Sequence, residues 1–565
     1  MPHNIIRDLL PFRSHREWKL IYDALDSIHN ALAILEGNAL SDADPAETAL
    51  IASPGISTDV SRADHVHPIH FNLPFFDVKD FGAVGDGVAN DTATIQAAID
   101  ALPAQGGIIF FPPGVYLVTS AISVNRSDVW LRGAGFNSTI VRTESVTADV
   151  FAVGDGLTQR DNLFITDLQL DASVTKTAGA GVLFNACTFA RVENVKMLGQ
   201  FYGIRITGGG VVFFLNNLDI RNTVASDGVG ILIEGGNDHF LSNIIMDKPS
   251  GTQPRAGIEI TESGGTWITN VDAIRSGTGL LVNPGAGQVV RWLFVMNSAF
   301  DTCSDNGIAV LASTSTSTIM GLNFTGNWTS SCTNHGIAAN KHASAVIDGI
   351  LISDHRSFFN GQNGILLNGG INVEINDCLI SGNSATTSGD DQGIAIGADV
   401  SGWSVRGCRV GQTSGFSNTQ GYGVVVNAGA SDNYQIIGND LRGNISGAIL
   451  DGGTGTNKQV FGNIPMEANN FFNLGNGAGL KRHLSNKAEL TYAEIPANGA
   501  AAQNITVTGA VVGDSVVVTP DANPGQFTWY GRVVSANTVE VILSNFTAGA
   551  LTPAVVTWRA TVWQY

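Results

Sequence analysis

Charge is what this chain has least of. Asp, Glu, Lys and Arg supply only 14% of its 565 residues, against about 25% in an ordinary soluble domain. Basic side chains are the scarcer kind: 30 Lys and Arg stand against 49 Asp and Glu, a net charge of −19. Without a basic footprint, neither nucleic acid nor an anionic membrane surface is an expected partner. No apolar run reaches the roughly 18 residues a spanning helix needs, so no membrane insertion is expected. The first residues, MPHNIIRDLLPF, lack a basic stretch followed by an apolar one, so no Sec-type export signal is read. Cysteines number 5, an odd count without framework spacing. That fits assembly in a reducing cytosol and thiols inside the fold rather than a disulfide scaffold. A helical period is missing from the whole middle of the chain, which excludes leucine-rich, ankyrin and HEAT-type arrays.

A repeat occupies that middle, from Gly181 to about Asp451. A glycine followed by aliphatic residues recurs at Gly181 (GVLF), Gly203 (GIRI), Gly230 (GILI), Gly257 (GIEI), Gly279 (GLLV), Gly307 (GIAV), Gly336 (GIAA), Gly364 (GILL), Gly393 (GIAI), Gly423 (GVVV) and Gly447 (GAIL), at intervals of 22 to 30 residues. Roughly ten residues later most repeats carry a second strand with a polar or small kink, such as VENVKM from Val192, LNNLDI from Leu215, ITNVDA from Ile268 and IDGILI from Ile347. Two or three short strands per repeat, separated by Gly, Asn, Asp and Ser, define an all-β, right-handed parallel β-helix. Like strands then stack about 4.8 Å apart. Cys303 and Cys332 precede signature glycines by the same interval, and Cys378 and Cys408 share one position of the second strand. Like residues fall in like columns, as stacking requires.

Around this solenoid the chain divides into further parts. In residues 14–37, Trp18, Ile21, Leu25, Ile28, Leu32 and Leu35 form an a/d seam, with Ser14 and Glu17 as a capping box and Gly37 as a stop. A short trimeric coiled coil over 1–37 is expected, for which a single packed helix is the alternative. Residues 38–74 read as a linker or neck. His65, His67 and His70 lie in it; they are read as part of a polar neck strand, with a metal shared between chains as the alternative, and no metal or other cofactor is assigned. The β-helix proper is placed at 75–453. An amphipathic helix over 91–102, with Ile95, Ala98, Ile99 and Leu102 on one side, is expected to seal its open end. Gly82, Gly85 and Gly87 precede that helix, but no βαβ pattern follows, so they do not form a nucleotide loop. Residues 454–488 read as a second linker. The strands of 489–565 read as a β-sandwich serving trimerisation or receptor recognition, with Trp529, Trp558 and Trp563 as core or inter-subunit residues rather than a sugar platform.

The stretch FDVKDFGAVGDG, NDT, IQAAIDA and GGIIFFPPGVYLV, in that order from Phe76, resembles the opening segment of the pectate-lyase-like superfamily, which includes many bacteriophage tailspike depolymerases. The preceding SRADHVHP resembles neck segments of phage tail fibres and spikes. The resemblance covers about 80 residues. It implies a homotrimeric receptor-binding protein of a phage tail, assembled in the host cytoplasm and acting at the bacterial surface. The implied partners are tail or baseplate proteins at the N-terminus, a bacterial surface polysaccharide at the β-helix, and sister copies of the chain.

Alternation along the strands points to chemistry. In the signature strand the outward column is Leu183, Arg205, Leu232, Glu259, Leu281, Ala309, Ala338, Leu366, Ala395 and Val425. A column this apolar should not face water, so cover by a second subunit is expected. The second strand is more polar outside, with Glu193, Lys196, Asn216, Asp219, Thr269, Asp272 and Asp348 among its outward positions. Phe214, Phe240 and Trp267 precede it in successive coils as a candidate sugar-binding stripe. Asp219 and Asp272 share a column two coils apart, about 9–10 Å by the stacking distance. Inverting glycosidases hold their carboxylates about 6.5–9.5 Å apart. Asp219 and Asp272 are therefore the candidate catalytic pair, with Glu193 as an alternative acid. Sites between subunits built from Glu234, Asp238, Glu259 or Glu262 stand beside this groove. Endo-glycosidic hydrolysis of capsule or O-antigen is the expected activity. The alternatives are a non-catalytic adhesin on the same scaffold and a uronate lyase, the latter disfavoured because neither a calcium loop nor a cluster of Lys and Arg is visible.

Overall fold

In the computed structural model, the described residues are 74–565 except 225, 416, 430, 456, 466–479 and 481. The coiled-coil segment and the neck, including His65, His67 and His70, lie outside them.

Each coil of the chain contributes to three parallel sheets. Sheet A collects the signature strands, thirteen of them from Ile122–Val124 to Gly447–Gly453. Sheets B and C follow in each coil and are joined around a corner in several of them, where single long strands such as Arg160–Ala172, Cys187–Leu198, Val211–Arg221, Asn237–Asp247 and Thr266–Ile274 serve both. Val182 pairs with Ile204, Ile204 with Ile231 and Ile231 with Ile258, and so on in register up the column. All are fully buried. This is the right-handed parallel β-helix expected from the glycine-led repeat.

The corner between sheets B and C has a local cause. One residue per coil adopts a left-handed backbone there: Asp167, Asn194, Asn217, Asn243, Asn270, Asn297, Gly326, Asp354, Asp377, Gly407, Gly438 and Gly462, with φ between 50° and 71°. Asn, Asp and Gly are the residue types that reach this region at least cost. The side chains also hold one another. Asn194 Nδ2 donates to Asp167 Oδ1 at 3.0 Å, and Asn243 Nδ2 to Asn216 Oδ1 at 2.9 Å. The polar kink seen in the sequence is therefore a change of face, and residues on its two sides look in different directions.

At the N-terminal end a helix spans Thr92–Asp100, slightly shorter than the sequence pattern suggests. Ile95, Ala98, Ile99 and Leu102 are buried and cover the first coil. The buried Asp91 carboxylate accepts from the Val84 and Gly85 amides at 2.7 and 3.2 Å, which fastens the loop before the helix. At the other end the stack continues past residue 453: Lys458–Phe461 pairs with Asp432–Ile437, and Ile464 bridges to Asp440. There Trp403 and Tyr434 stack at 4.5 Å, and the Tyr434 hydroxyl and Lys458 ammonium donate to Asp451 at 2.6 and 2.8 Å. The C-terminal residues form two three-stranded antiparallel sheets around one cluster that includes Trp558, Val539, Val541, Leu543 and Val562. Trp558 is buried in it, Trp529 packs edge-on against Trp558 at 5.5 Å, and Trp563 contacts His483 at 4.6 Å.

Two expectations change. The outward column of sheet A has the register read from sequence, but Leu232, Glu259, Leu281, Ala309 and Ala338 are at most 6% exposed within a single chain. Leu232, Leu281 and Ala309 pack with Val229, Ala256, Tyr202 and Leu311, and Arg255 folds over Glu259 at 2.9 Å. Over those five coils the column is sheltered within one chain, while Leu183, Arg205 and Leu366 of the same column stay partly exposed. Second, IDGILI belongs to sheet B: its Gly349 is not the corner residue of that coil, Asp354 is. Asp348 pairs with Met320 and Ile371, away from the column of Asp219 and Asp272.

Candidate functional site

The corner sorts the candidate residues onto two faces. Phe214, Phe240 and Trp267 stand in register on sheet B, in a column that continues backwards through Arg191 to Phe164 and onwards to Phe294. Their rings stack on one another, 5.2, 4.9 and 5.5 Å apart and within 14° of parallel from Phe214 to Phe294. The Arg191 guanidinium sits between Phe164 and Phe214 at 5.9 and 5.3 Å. Each inner ring therefore gives its faces to its neighbours and turns an edge outward. Glu193 shares this face, pairs with Arg191 at 3.7 Å and accepts from Asn216 at 3.1 Å.

Asp219 and Asp272 lie past the corner on sheet C. Lys196, Asp219, Ile245, Asp272, Ala299, Trp328, Arg356, Leu379 and Arg409 succeed one another coil by coil in one outward column. The structure thus brings Asp219 and Asp272 together and leaves Glu193 and the aromatic stripe on the adjoining face.

A second outward column, two residues further along each strand, holds Arg221, Asp247, Ile274 and Asp301. Asp247, with 7% of its side chain exposed, is clamped by Arg221 at 3.3 Å and Arg275 at 2.7 Å. Arg221 also pairs with Asp219. Asp301 accepts from the Ser330 and Thr302 hydroxyls at 2.8 and 3.0 Å. Asp272 is different: among the described residues its carboxyl has neither a hydrogen bond nor an ion pair. Burial raises its pKa above the ordinary aspartate value, and the charges of Asp301 and Asp247 push the same way against the smaller opposite pull of Arg221. One carboxylate gripped by an arginine beside one held towards its neutral form is the division that acid–base work on a glycosidic bond requires.

Asp272 also opens onto a depression of about 340 Å³ lined by Asn270, Asp272, Asn297, Ala299, Gly326 and Trp328. Ala299 is small and makes the floor. Gly326 replaces asparagine at the corner, and a Cβ there would come within 2.8 Å of Asn297 Oδ1. Trp328 forms the far wall, 46% exposed and braced edge-on by Phe358 at 5.9 Å. The sequence reading missed Arg221, Asp247, Asp301 and Trp328. Their signal was alternation counted onward from the kink, as in Asp219-Ile220-Arg221.

Of the other carboxylates named from sequence, two are engaged elsewhere, while Asp238 and Glu262 have no ion pair or side-chain hydrogen bond among the described residues. Glu234 pairs with Arg205 on sheet A, and Glu259 with Arg255. Burial raises the pKa of Glu259 despite that arginine. Among the described residues no group of three or more His, Cys, Asp or Glu is spaced to hold a metal ion, and no helix is long and apolar enough to cross a membrane. The five cysteines are buried and unbridged.

The comparisons give the relatives of this β-helix. Residues 75–309 match the family model of rhamnogalacturonase A/epimerase, pectate lyase-like proteins. The chain is similar to mannuronan C5-epimerase AlgE5 of Azotobacter vinelandii, 31% identical over 38% of this chain and 23% of the relative. It is also similar to alginate lyase 7 of the same organism, 34% identical over 18% of this chain and 13% of the relative. It thus spans about a quarter or less of the length of these relatives. Among solved structures, the tailspike protein of Escherichia coli bacteriophage HK620 in complex with a pentasaccharide shares the fold, with a TM-score of 0.51 and 14% identity over 86% of this chain and 93% of that one. Tailspike protein 3 of bacteriophage CBA120 shares it with a TM-score of 0.50 and 13% identity over 69% and 62%.

Proposed function

We propose that this chain is a phage tailspike that binds a bacterial surface polysaccharide and cleaves it within the chain by hydrolysis on sheet C. The observation that carries this reading is the unpartnered, charge-raised Asp272 in line with the arginine-held Asp219. Two coils separate them, about 9–10 Å of backbone by the stacking distance. That separation is near the upper end of the range for an inverting glycosidase, whose water would have to lie above the Ile245 side chain that stands between the two in the same column. Asp272, whose pKa is raised, donates a proton to the leaving glycosidic oxygen. Asp219 takes a proton from the water that attacks the sugar carbon from the other side. Asp247 keeps Arg221 in place, and Asp301 keeps the proton on Asp272. The N-terminal residues would attach the spike to the virion tail, and a homotrimer is the expected assembly.

A second reading is favoured by one observation: the relatives at 31–34% identity are an epimerase and a lyase. In that reaction a carboxylate of the same face removes a proton beside a uronate carboxyl group, and the arginines neutralise the charge that develops. Product analysis separates the readings. New reducing ends without unsaturated-uronate absorbance identify hydrolysis. Absorbance identifies elimination. Unchanged chain length with an altered ratio of C5-epimeric uronates identifies epimerisation, and retained binding with neither change identifies an adhesin and ends both enzymatic readings.

A further inference from the structure

The column beyond the candidate acid has no role in cleavage, yet its composition is unusual for this protein. Trp328 is followed in register by Arg356, then Leu379, then Arg409. In a chain of net charge −19, arginines on sheet C are normally tied up. Arg142 pairs with Asp171, Arg221 and Arg275 with Asp247, and Arg442 with Asp440. Arg356 is exposed, and among the described residues its guanidinium has no ion pair or hydrogen bond. Asp354 stands at the corner two residues earlier and is not its partner. Trp328, one coil before it, is not part of a ring stack, unlike the inner rings of sheet B. It is braced only at an edge, which leaves indole surface open beside Asp272's depression. Leu379 separates Arg356 from Arg409 as an uncharged step.

We propose that Trp328 and Arg356 form a subsite for an acidic sugar residue, so that the polysaccharide read by this groove carries carboxylate or phosphate groups. A sugar ring rests against the Trp328 indole. The acid group of a residue further along binds the Arg356 guanidinium, whose planar fork matches either oxyanion. Arg409 lies two coils further on with Asp440 beside it in register and is not part of the subsite. Arg356 stands three coils from Asp272, roughly 14 Å by the stacking distance, so it selects the substrate without touching the scissile bond. This inference rests on the placing of the polysaccharide along sheet C, and its test is kept separate from cleavage.

The experiment measures binding of the full chain, at low and high salt, to polygalacturonate, polymannuronate, poly(glycerol phosphate) and neutral dextran. The carboxylate and phosphate polymers distinguish the two sources of negative charge. The wild-type chain is expected to retain at least one acidic polymer, with affinity falling as salt rises, and not dextran. Arg356→Gln should weaken that binding about tenfold or more, with Arg356→Lys between the two, because an ammonium cannot make the paired contact. Trp328→Ala should weaken it independently. Arg356 is exposed, so an unchanged unfolding midpoint is expected in each arginine variant and serves as the folding control. Equal retention on dextran, no retention on any acidic polymer, or acidic binding unaltered in Arg356→Gln overturns the subsite. Turnover of the wild-type chain keeps the two claims apart: if Arg356-dependent binding is present and the wild-type chain never releases reducing ends, hydrolysis fails and the subsite stands. Cleavage of a neutral polymer indifferent to Arg356 has the opposite meaning.

Discussion

At the scale of single residues, the site depends on how Asp219 and Asp272 are treated differently by their surroundings. Removing either carboxylate, as Asp219→Asn or Asp272→Asn, should lower turnover by about 10²–10⁴ while leaving folding intact, the range usual for a general acid or base. Initial rates of reducing-end release measure it. The pH profile tests the cause of the difference. Activity needs Asp272 protonated, so the alkaline limb follows its raised pKa. Asp301→Asn removes the charge that helps hold the proton on, which should move that limb to lower pH. A limb that stays in place rejects the pairing. A separate residue-scale effect lies inside the coils. Burial lowers the pKa of His239 and His335 to about 4 and of His355 to about 3. Unfolded, these groups take up protons near pH 6.5, so the unfolded chain binds more protons below that value and stability falls with pH from there towards about 4. The loss between about pH 7 and pH 5 is roughly 2 kcal/mol per histidine by the linkage constant. Urea midpoints across that range measure it, and His239→Phe should flatten the dependence.

At the scale of elements, the corner ladder makes one long strand serve two faces. Asn243 has φ of 56° and donates to Asn216 while its oxygen accepts from Asn270 at 3.4 Å. Asn243→Ala keeps a Cβ in a left-handed backbone and loses the side-chain bonds, a cost of about 2–3 kcal/mol. Asn243→Gly loses only the bonds and should cost about 1 kcal/mol less, as the natural glycines at 326, 407, 438 and 462 suggest. Chemical denaturation of the two variants checks the order. The same corner explains what could be read in the sequence. Glycine-led strands and their spacing gave the coils and their register, because an aliphatic residue pointing inward must stack on another. Asp219 and Asp272 were legible because they sit at one interval after an Asn corner in coils of similar length. The two faces were not legible, since a single left-handed residue leaves the alternation of polar and apolar positions nearly unbroken. Glu193 and the Phe214–Phe240–Trp267 stripe were therefore grouped with carboxylates that face another way. IDGILI was misplaced for a related reason: Gly349 is also left-handed, but at the start of sheet B.

At the scale of the whole molecule, a solenoid closed by a helix at one end offers long flat faces, and their chemistry divides the labour. Sheet A is sheltered by its own chain over its middle coils, sheet B carries a self-stacked aromatic ridge, and sheet C carries carboxylates, arginines and Trp328. A homotrimer remains the proposed assembly. Sedimentation at micromolar concentration should give a mass three times that of one chain; a monomer would remove the trimer but not the site, which lies within one chain. The most direct test of the account is a crystal structure of Asp272→Asn with oligosaccharide fragments of a bound surface polysaccharide. The expected result is sugar density along sheet C, crossing Ala299 between residue 272 and Trp328. Density along the aromatic ridge of sheet B, with sheet C empty, would contradict it.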